Sequence, residues 1–200
     1  MEPIILASGS PRRKQLLEWA EVAFDVKVSD VEETWPPGLP VAAVPIHIAR
    51  NKALAVKKEL AAATGAAVRR VILAADTVVV LGSAIIGKPR DRQDAIDILS
   101  RLAGNRHEVI TGVVLLKGET ETAFSDTTEV WFHELTQAQL EAYVDKYRPY
   151  DKAGAYAIQE WIGVVGIREI RGDFYNVMGL PVSRVVRELE RLNGGSGIPL

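Results

Sequence analysis

The sequence predicts an α/β fold built on a mixed sheet, and three observations carry that expectation. Apolar, β-branched runs alternate with segments of helical period along the whole chain. One run, Val71 to Leu81, is broken only by Asp76 and Thr77, as suits a central strand buried on both faces. Short turns such as Gly82-Ser83 and Arg171-Gly172-Asp173 send the chain back on itself, so the sheet is mixed rather than purely parallel.

The elements follow in order. Ile4-Ile5-Leu6 reads as a buried strand, and a helix starts directly after it, with Ser10 as N-cap, Pro11 at the first helical position and Leu16, Leu17 and Ala20 as apolar face. Phe24 to Val28 alternates as a short strand, and a Pro/Gly-rich loop runs from Pro36 to Pro40. Residues 45–62 read as a helix with Ala49, Ala53, Val56 and Leu60 on one face, ended by Thr64-Gly65. After the long central strand, Gly82-Ser83 turns into Ile85-Ile86. Asp91 opens a helix with Ile98, Leu99 and Leu102 inward, and Val109–Leu116 and Thr127–Phe132 read as strands. Thr136 to Gln139 has capping-box spacing for a helix carrying Leu140, Tyr143 and Val144. Trp161 to Ile170 reads as a strand returning through Phe174 to Met178, and Pro181 begins a last helix. One domain over residues 1–192 and a frayed tail over 193–200 are expected.

Composition narrows the function classes. The chain has 200 residues, 48% of them hydrophobic, a net charge of −2 and no Cys. A near-neutral surface does not suit polymeric nucleic acid or an anionic membrane, so any basic cluster is local and sized for a small anion. Absence of Cys excludes disulfides, thiolate zinc sites and cysteine nucleophiles. No run approaches the ~20 apolar residues of a membrane span, and Glu2 stands where a signal peptide carries positive charge. A cytoplasmic protein is the expectation.

Four features stand out as candidate chemistry. Ser8-Gly9-Ser10-Pro11-Arg12-Arg13 sets small residues and two guanidinium groups at a helix N-terminus, which reads either as a phosphate grip or as an ordinary strand–turn–helix with solvated arginines. Asp76 is a carboxylate inside a buried run, hence a general base, a metal ligand, or a strand-end residue that reaches solvent. Gly82 to Lys88 comes close to the P-loop pattern, but Pro89 stands where the magnesium-binding hydroxyl belongs and biases Lys88 away from helix, so it is not one. In Asp151 to Gln159 small residues surround a Lys, a Tyr and a Gln whose amide suits a nucleobase edge, though a plain loop–strand junction explains it equally. Lys52 lies beside the apolar stripe of its helix, as a snorkelling lysine also would, and Glu32-Glu33 reads as solvated charge. His47, His107 and His133 show no ligand spacing and read as structural or exposed.

The ordered set Ser8–Arg13, Asp76-Thr77-Val78-Val79, Gly87 to Asp91, Ile110 to Val113, Asp151 to Tyr156 and Val177 to Pro181 resembles the Maf proteins, from about Ile4 to Val186. The resemblance implies a nucleoside-triphosphate pyrophosphatase with the fold of inosine-triphosphate-type house-cleaning enzymes: an elongated mixed sheet flanked by helices, in two lobes with a central cleft. Arg13, Thr77 and Gln159 match the subgroup acting on dTTP and UTP, while Ala157 departs from the Gly common in its block. It further implies Asp76 as the group that activates water and Glu33 as a second carboxylate for a divalent cation, with Asp76 alongside. Magnesium suits such oxygen ligands, and manganese is an alternative. Ser8, Arg12, Lys52 and Lys88 are then expected to orient the triphosphate, and Arg13, Thr77 and Gln159 to select the pyrimidine. The implied partners are a small nucleotide, no polymeric nucleic acid, no membrane, and a second copy in a homodimer. The family's association with septum formation implies an alternative, a nucleotide-binding regulator of cell division; a pyrophosphatase of other base preference is another.

Overall fold

In a computed structural model, residues 2–194 are described. The strands are β1 (Ile4–Leu6), β2 (Phe24–Val26), β3 (Ile72–Leu81), β4 (Ala84–Ile86), β5 (Arg106–Lys117), β6 (Thr120–Phe132) and β7 (Ile167–Arg171). The helices are α1 (Pro11–Trp19), α2 (Val44–Thr64), α3 (Arg92–Leu102), α4 (Gln137–Tyr147), α5 (Trp161–Gly166), α6 (Phe174–Met178) and α7 (Val182–Leu192), with short 3₁₀ turns at Val41–Ala43 and Ala153–Ala155. Among the described residues the strands form a seven-stranded sheet in the order β2-β1-β3-β5-β6-β7, with β4 on β3. It is mixed: β1 pairs parallel with β2 and β3, while β3–β4 and β6–β7 are antiparallel. No described helix is long and apolar enough to cross a membrane.

The chain packs as two compact units, whose boundaries fall inside β3, β5 and β6. The first comprises residues 1–76, 111–126 and 179–200. Its core sets α2 on the sheet through Ala49, Ala53 and Val56 against Ile5, Ala7, Ile72, Ala74, Val114 and Leu116. Alanines on both surfaces bring the helix close, and Gly112 on β5 brings it closer still: a Cβ there would lie 2.3 Å from the Ile46 nitrogen and 2.4 Å from the Pro45 carbonyl carbon. The second unit comprises residues 77–110 and 127–178. In it His107, Phe132 and Tyr156 pack edge to face, 5.1–5.4 Å between ring centres.

Local signals explain most of the element ends. Gly65 closes α2 in the left-handed conformation. Asp91 caps α3 by accepting from the Asp94 N–H, and Thr136 and Gln139 form the expected capping box on α4. Ser10 occupies the N-cap of α1 with Pro11 following, yet its hydroxyl makes no capping bond.

Three expectations are corrected. Trp161–Gly166 is helical, not extended, because the Gly163 and Val164 N–H groups donate to the Glu160 carbonyl. Phe174–Met178 is also helical: Asp173 accepts from the Tyr175 N–H, and buried Asn176 donates to the Val109 carbonyl and the Thr128 hydroxyl. β-Branched and aromatic residues suggested strands in both places, and local hydrogen bonds overrode that preference. β6 begins at Thr120, seven residues before the expected start, because a two-residue turn at Gly118-Glu119 follows β5 directly. Of the tail expected over 193–200, residues 195–200 lie outside the described residues; Asn193 takes a hydrogen bond from Lys117 Nζ at 2.9 Å.

Candidate active site

The first unit gathers its charged candidates at the carboxyl end of a parallel strand pair. β1 and β3 run the same way, with Leu6 opposite Leu73, and the Ala7 N–H donates to the Leu73 carbonyl at 2.7 Å. Ser8 follows at once on one strand, and Asp76 comes three residues later on the other. Ligands of open α/β sheets bind at such carboxyl ends.

Asp76 is only 8% exposed, and it is paired. Lys52 Nζ donates to Asp76 Oδ1 at 2.8 Å and to Glu33 Oε1 at 2.7 Å. The ammonium thus bridges two carboxylates from distant stretches of chain, one in the buried strand and one in the loop before α2. Lys52 is set there by the packing of α2: its neighbours Ala49, Ala53 and Val56 are wholly buried, which turns the lysine along the helix edge. Two carboxylates this close repel one another unless a cation lies between them. Their convergence on one nitrogen marks a position suited to positive charge.

Arg12 and Arg13, adjacent in the first turn of α1, differ in burial. Arg12 is half-buried. Arg13 is 9% exposed, and its guanidinium donates from Nε to the Gly179 carbonyl at 2.8 Å and from an Nη to the Ser8 hydroxyl at 3.1 Å. Burial lowers its pKa; the charges of Asp76 and Glu33 oppose that shift and Arg12 adds to it. Ser8, itself buried, therefore braces Arg13.

Thr77, Lys88 and Gln159 belong to the second unit. Thr77 is half-buried, and Lys88 and Gln159 are exposed. The loops that carry the last two are joined: the Gly154 N–H donates to the Gly87 carbonyl at 3.1 Å, and a Cβ on Gly154 would come within 2.9 Å of Val79. Gly154 and Ala155 both hold positive φ, which packs the loop tightly. Sequence reading missed two partners, Tyr143 in this unit and Gly179 in the first. Tyr143 read only as an apolar residue of α4, yet its hydroxyl donates to Glu160 at 2.5 Å and accepts from the Ala157 N–H at 3.2 Å. The signal was available, since a buried phenol needs a partner. Gly179, which holds Arg13 through its carbonyl, offered no side-chain signal.

The histidines match their expected structural or exposed roles. His47 pairs with Asn51, His133 is exposed, and His107 is buried with Nε2 on the Tyr156 hydroxyl at 2.8 Å. Burial pushes His107 down to about 4.

Comparison with known proteins matches residues 3–192 to the Maf family, described as Maf-like protein. A relative from Cytophaga hutchinsonii named dTTP/UTP pyrophosphatase is 48% identical over 189 residues, 94% of this chain and 84% of its own. Relatives of the same name from Phocaeicola vulgatus and Bacillus cytotoxicus are 44% and 43% identical, over 94% and 98% of this chain and 95% and 98% of theirs. Among solved structures, the Staphylococcus aureus Ham1 protein aligns with 66% of this chain and 73% of its own at 16% identity and a TM-score of 0.45. Matched along nearly its whole length, the chain belongs to the Maf family.

Proposed function

We propose that this protein hydrolyses dTTP and UTP to the nucleoside monophosphate and pyrophosphate. The observation that carries the reading is Asp76, a carboxylate built into a buried strand and held beside Glu33 by one lysine ammonium. The shared name of relatives 42–48% identical to the chain supports the substrate.

In the reaction a water oxygen bonds to the α-phosphorus and the bond from that phosphorus to the α–β bridging oxygen breaks. Asp76 takes the water's proton, and pyrophosphate departs with the bridging oxygen. Ser8, Arg12, Lys52 and Lys88 neutralise and orient the triphosphate, so that charge is met by donors already in place. Ser8 also braces Arg13. Arg13, Thr77 and Gln159 select the pyrimidine.

Glu33 and Asp76 are the residues that would hold a divalent cation, because they already converge on a cationic nitrogen. Among the described residues no group of three or more His, Cys, Asp or Glu could hold a metal ion, so its other ligands would be water and substrate phosphates. Magnesium binds in that way, and manganese accepts the same donors. When bound, such an ion neutralises developing phosphate charge.

The test is a screen of common nucleoside triphosphates with the purified protein, reading pyrophosphate release with and without magnesium. Release from dTTP and UTP, dependent on the metal, is the expected result. Preference for a purine overturns the substrate assignment. Binding without turnover overturns the enzyme reading in favour of a nucleotide-binding regulator.

A further inference from the structure

We propose that Tyr143 is a positioning residue for base recognition, its single hydroxyl holding the turn that presents Gln159. The inference rests on the reading of Gln159 as a base-selecting group. The Tyr143 hydroxyl is engaged twice, and its two partners flank Gln159 in sequence. It accepts from the Ala157 N–H at 3.2 Å and donates to a Glu160 carboxylate oxygen at 2.5 Å. The Glu160 N–H donates to the Ala157 carbonyl at 3.1 Å, closing the turn around Ile158 and Gln159.

Everything else in that segment is packed. Ala157 and Ile158 are buried, and a Cβ on Gly163 would lie 1.7 Å from the Ile158 carbonyl oxygen, so the start of α5 sits directly on the turn. Gln159 alone among residues 154–159 is exposed. Tyr143 is anchored in turn, 1% exposed and stacked on Tyr147 with ring centres 4.9 Å apart. Burial and the bond to Glu160 both raise its pKa, so it remains a protonated donor at neutral pH. Lys152, itself buried, lies 3.8 Å from the other Glu160 oxygen.

The chemistry requires such a clamp. Uracil offers an N3–H donor beside the O4 acceptor, whereas cytosine offers an N3 acceptor beside an amino group. A glutamine amide carries both a donor and an acceptor, and it discriminates only if its plane and reach are fixed; a loose amide rotates to suit either base. A hydroxyl used only to satisfy a buried tyrosine needs one partner, not one on each side of the selecting residue.

The test measures kcat and KM for UTP and CTP with the full chain. Wild type is expected to prefer UTP, and Gln159→Ala to remove most of that preference. Tyr143→Phe should lower the UTP/CTP ratio of kcat/KM by about 10-fold, mainly through a higher KM for UTP. Glu160→Gln retains an acceptor for the hydroxyl and should hold the ratio within about threefold of wild type. In a Gln159→Ala background Tyr143→Phe should change the ratio no further, a non-additivity that a purely structural tyrosine would not produce. Should Tyr143→Phe fail to fold, Glu160→Ala removes the other end of the clamp and should lower the ratio in its place. A wild type without UTP preference overturns the base reading and this inference with it. Relaxed selection in Gln159→Ala beside an unchanged ratio in Tyr143→Phe overturns the inference alone, as does an equal loss on both substrates.

Discussion

The Lys52 cluster and the Gln159 turn solve opposite problems. In the first, charge is concentrated: an ammonium joins two carboxylates, and a buried guanidinium is braced by Ser8 and the Gly179 carbonyl. In the second, the working group is an exposed, neutral amide, on a turn that a tyrosine hydroxyl ties to the Ala157 backbone and the Glu160 carboxylate. Concentrated charge suits the handling of phosphates and a proton, where strength matters. A neutral amide on a rigid turn suits discrimination, where geometry matters. Damage to Lys52 or its two carboxylates should therefore show in rate, and damage to the Gln159 turn in selectivity.

The sharpest way to separate them is Asp76→Asn. It keeps the shape and removes the base, and kcat for dTTP and UTP should fall at least ~100-fold together. Stopped or initial-rate assays that find near wild-type turnover would refute Asp76 as the base.

Gly112→Ala attacks the first region through packing alone. A methyl group there meets the backbone of Pro45 and Ile46 and pushes back the helix that carries Lys52. Overpacking of this kind should cost about 2–3 kcal/mol in urea unfolding, with a fall in kcat. An unchanged unfolding midpoint would show that α2 yields freely.

The second region carries its own acid sensitivity. His107 sits at about 4 when folded against an ordinary 6.5, so the unfolded chain binds the proton more readily. Its stabilising contribution is whole above pH 6.5 and is lost as the pH falls toward 4, about 2 kcal/mol being gone by pH 5. Replacement of His107 by Phe should flatten that part of the stability–pH curve; an equally steep curve would assign the loss to other groups.

Smaller effects complete the contrast. Ser8→Ala removes one bond to Arg13 while Gly179 keeps the other, a loss of about 1 kcal/mol by thermal unfolding. Gln159→Ala, at an exposed position, should shift stability by no more than about 0.5 kcal/mol. A large stability loss there would make Gln159 part of the scaffold.

Much of this was legible in the residues alone. The apolar run of β3 and the period of α2 identify those elements because each buries a face that the rest of the sequence pattern reveals. Thr136 with Gln139, and Gly65, specify helix ends through contacts made within a few residues. Asp76 stood out because a carboxylate in a buried run demands a partner. The short helices at Trp161 and Phe174 were not legible, since their residues favour strands and only hydrogen bonds to Glu160 and Asp173 decide otherwise.

The sequence by itself determined the α/β class and the long elements and made Asp76 stand out, because periodicity, caps and misplaced charge are local properties; Glu33 became a candidate only through the resemblance to a family. The tertiary structure alone decided who meets whom. Lys52 lies 19 residues from Glu33 and 24 from Asp76, and Arg13 lies 166 from Gly179. No local rule spans such separations; strand register and the close seat of α2 over Gly112 set those contacts. Tyr143 likewise reads as one more apolar residue until the chain folds back and places its hydroxyl between Ala157 and Glu160.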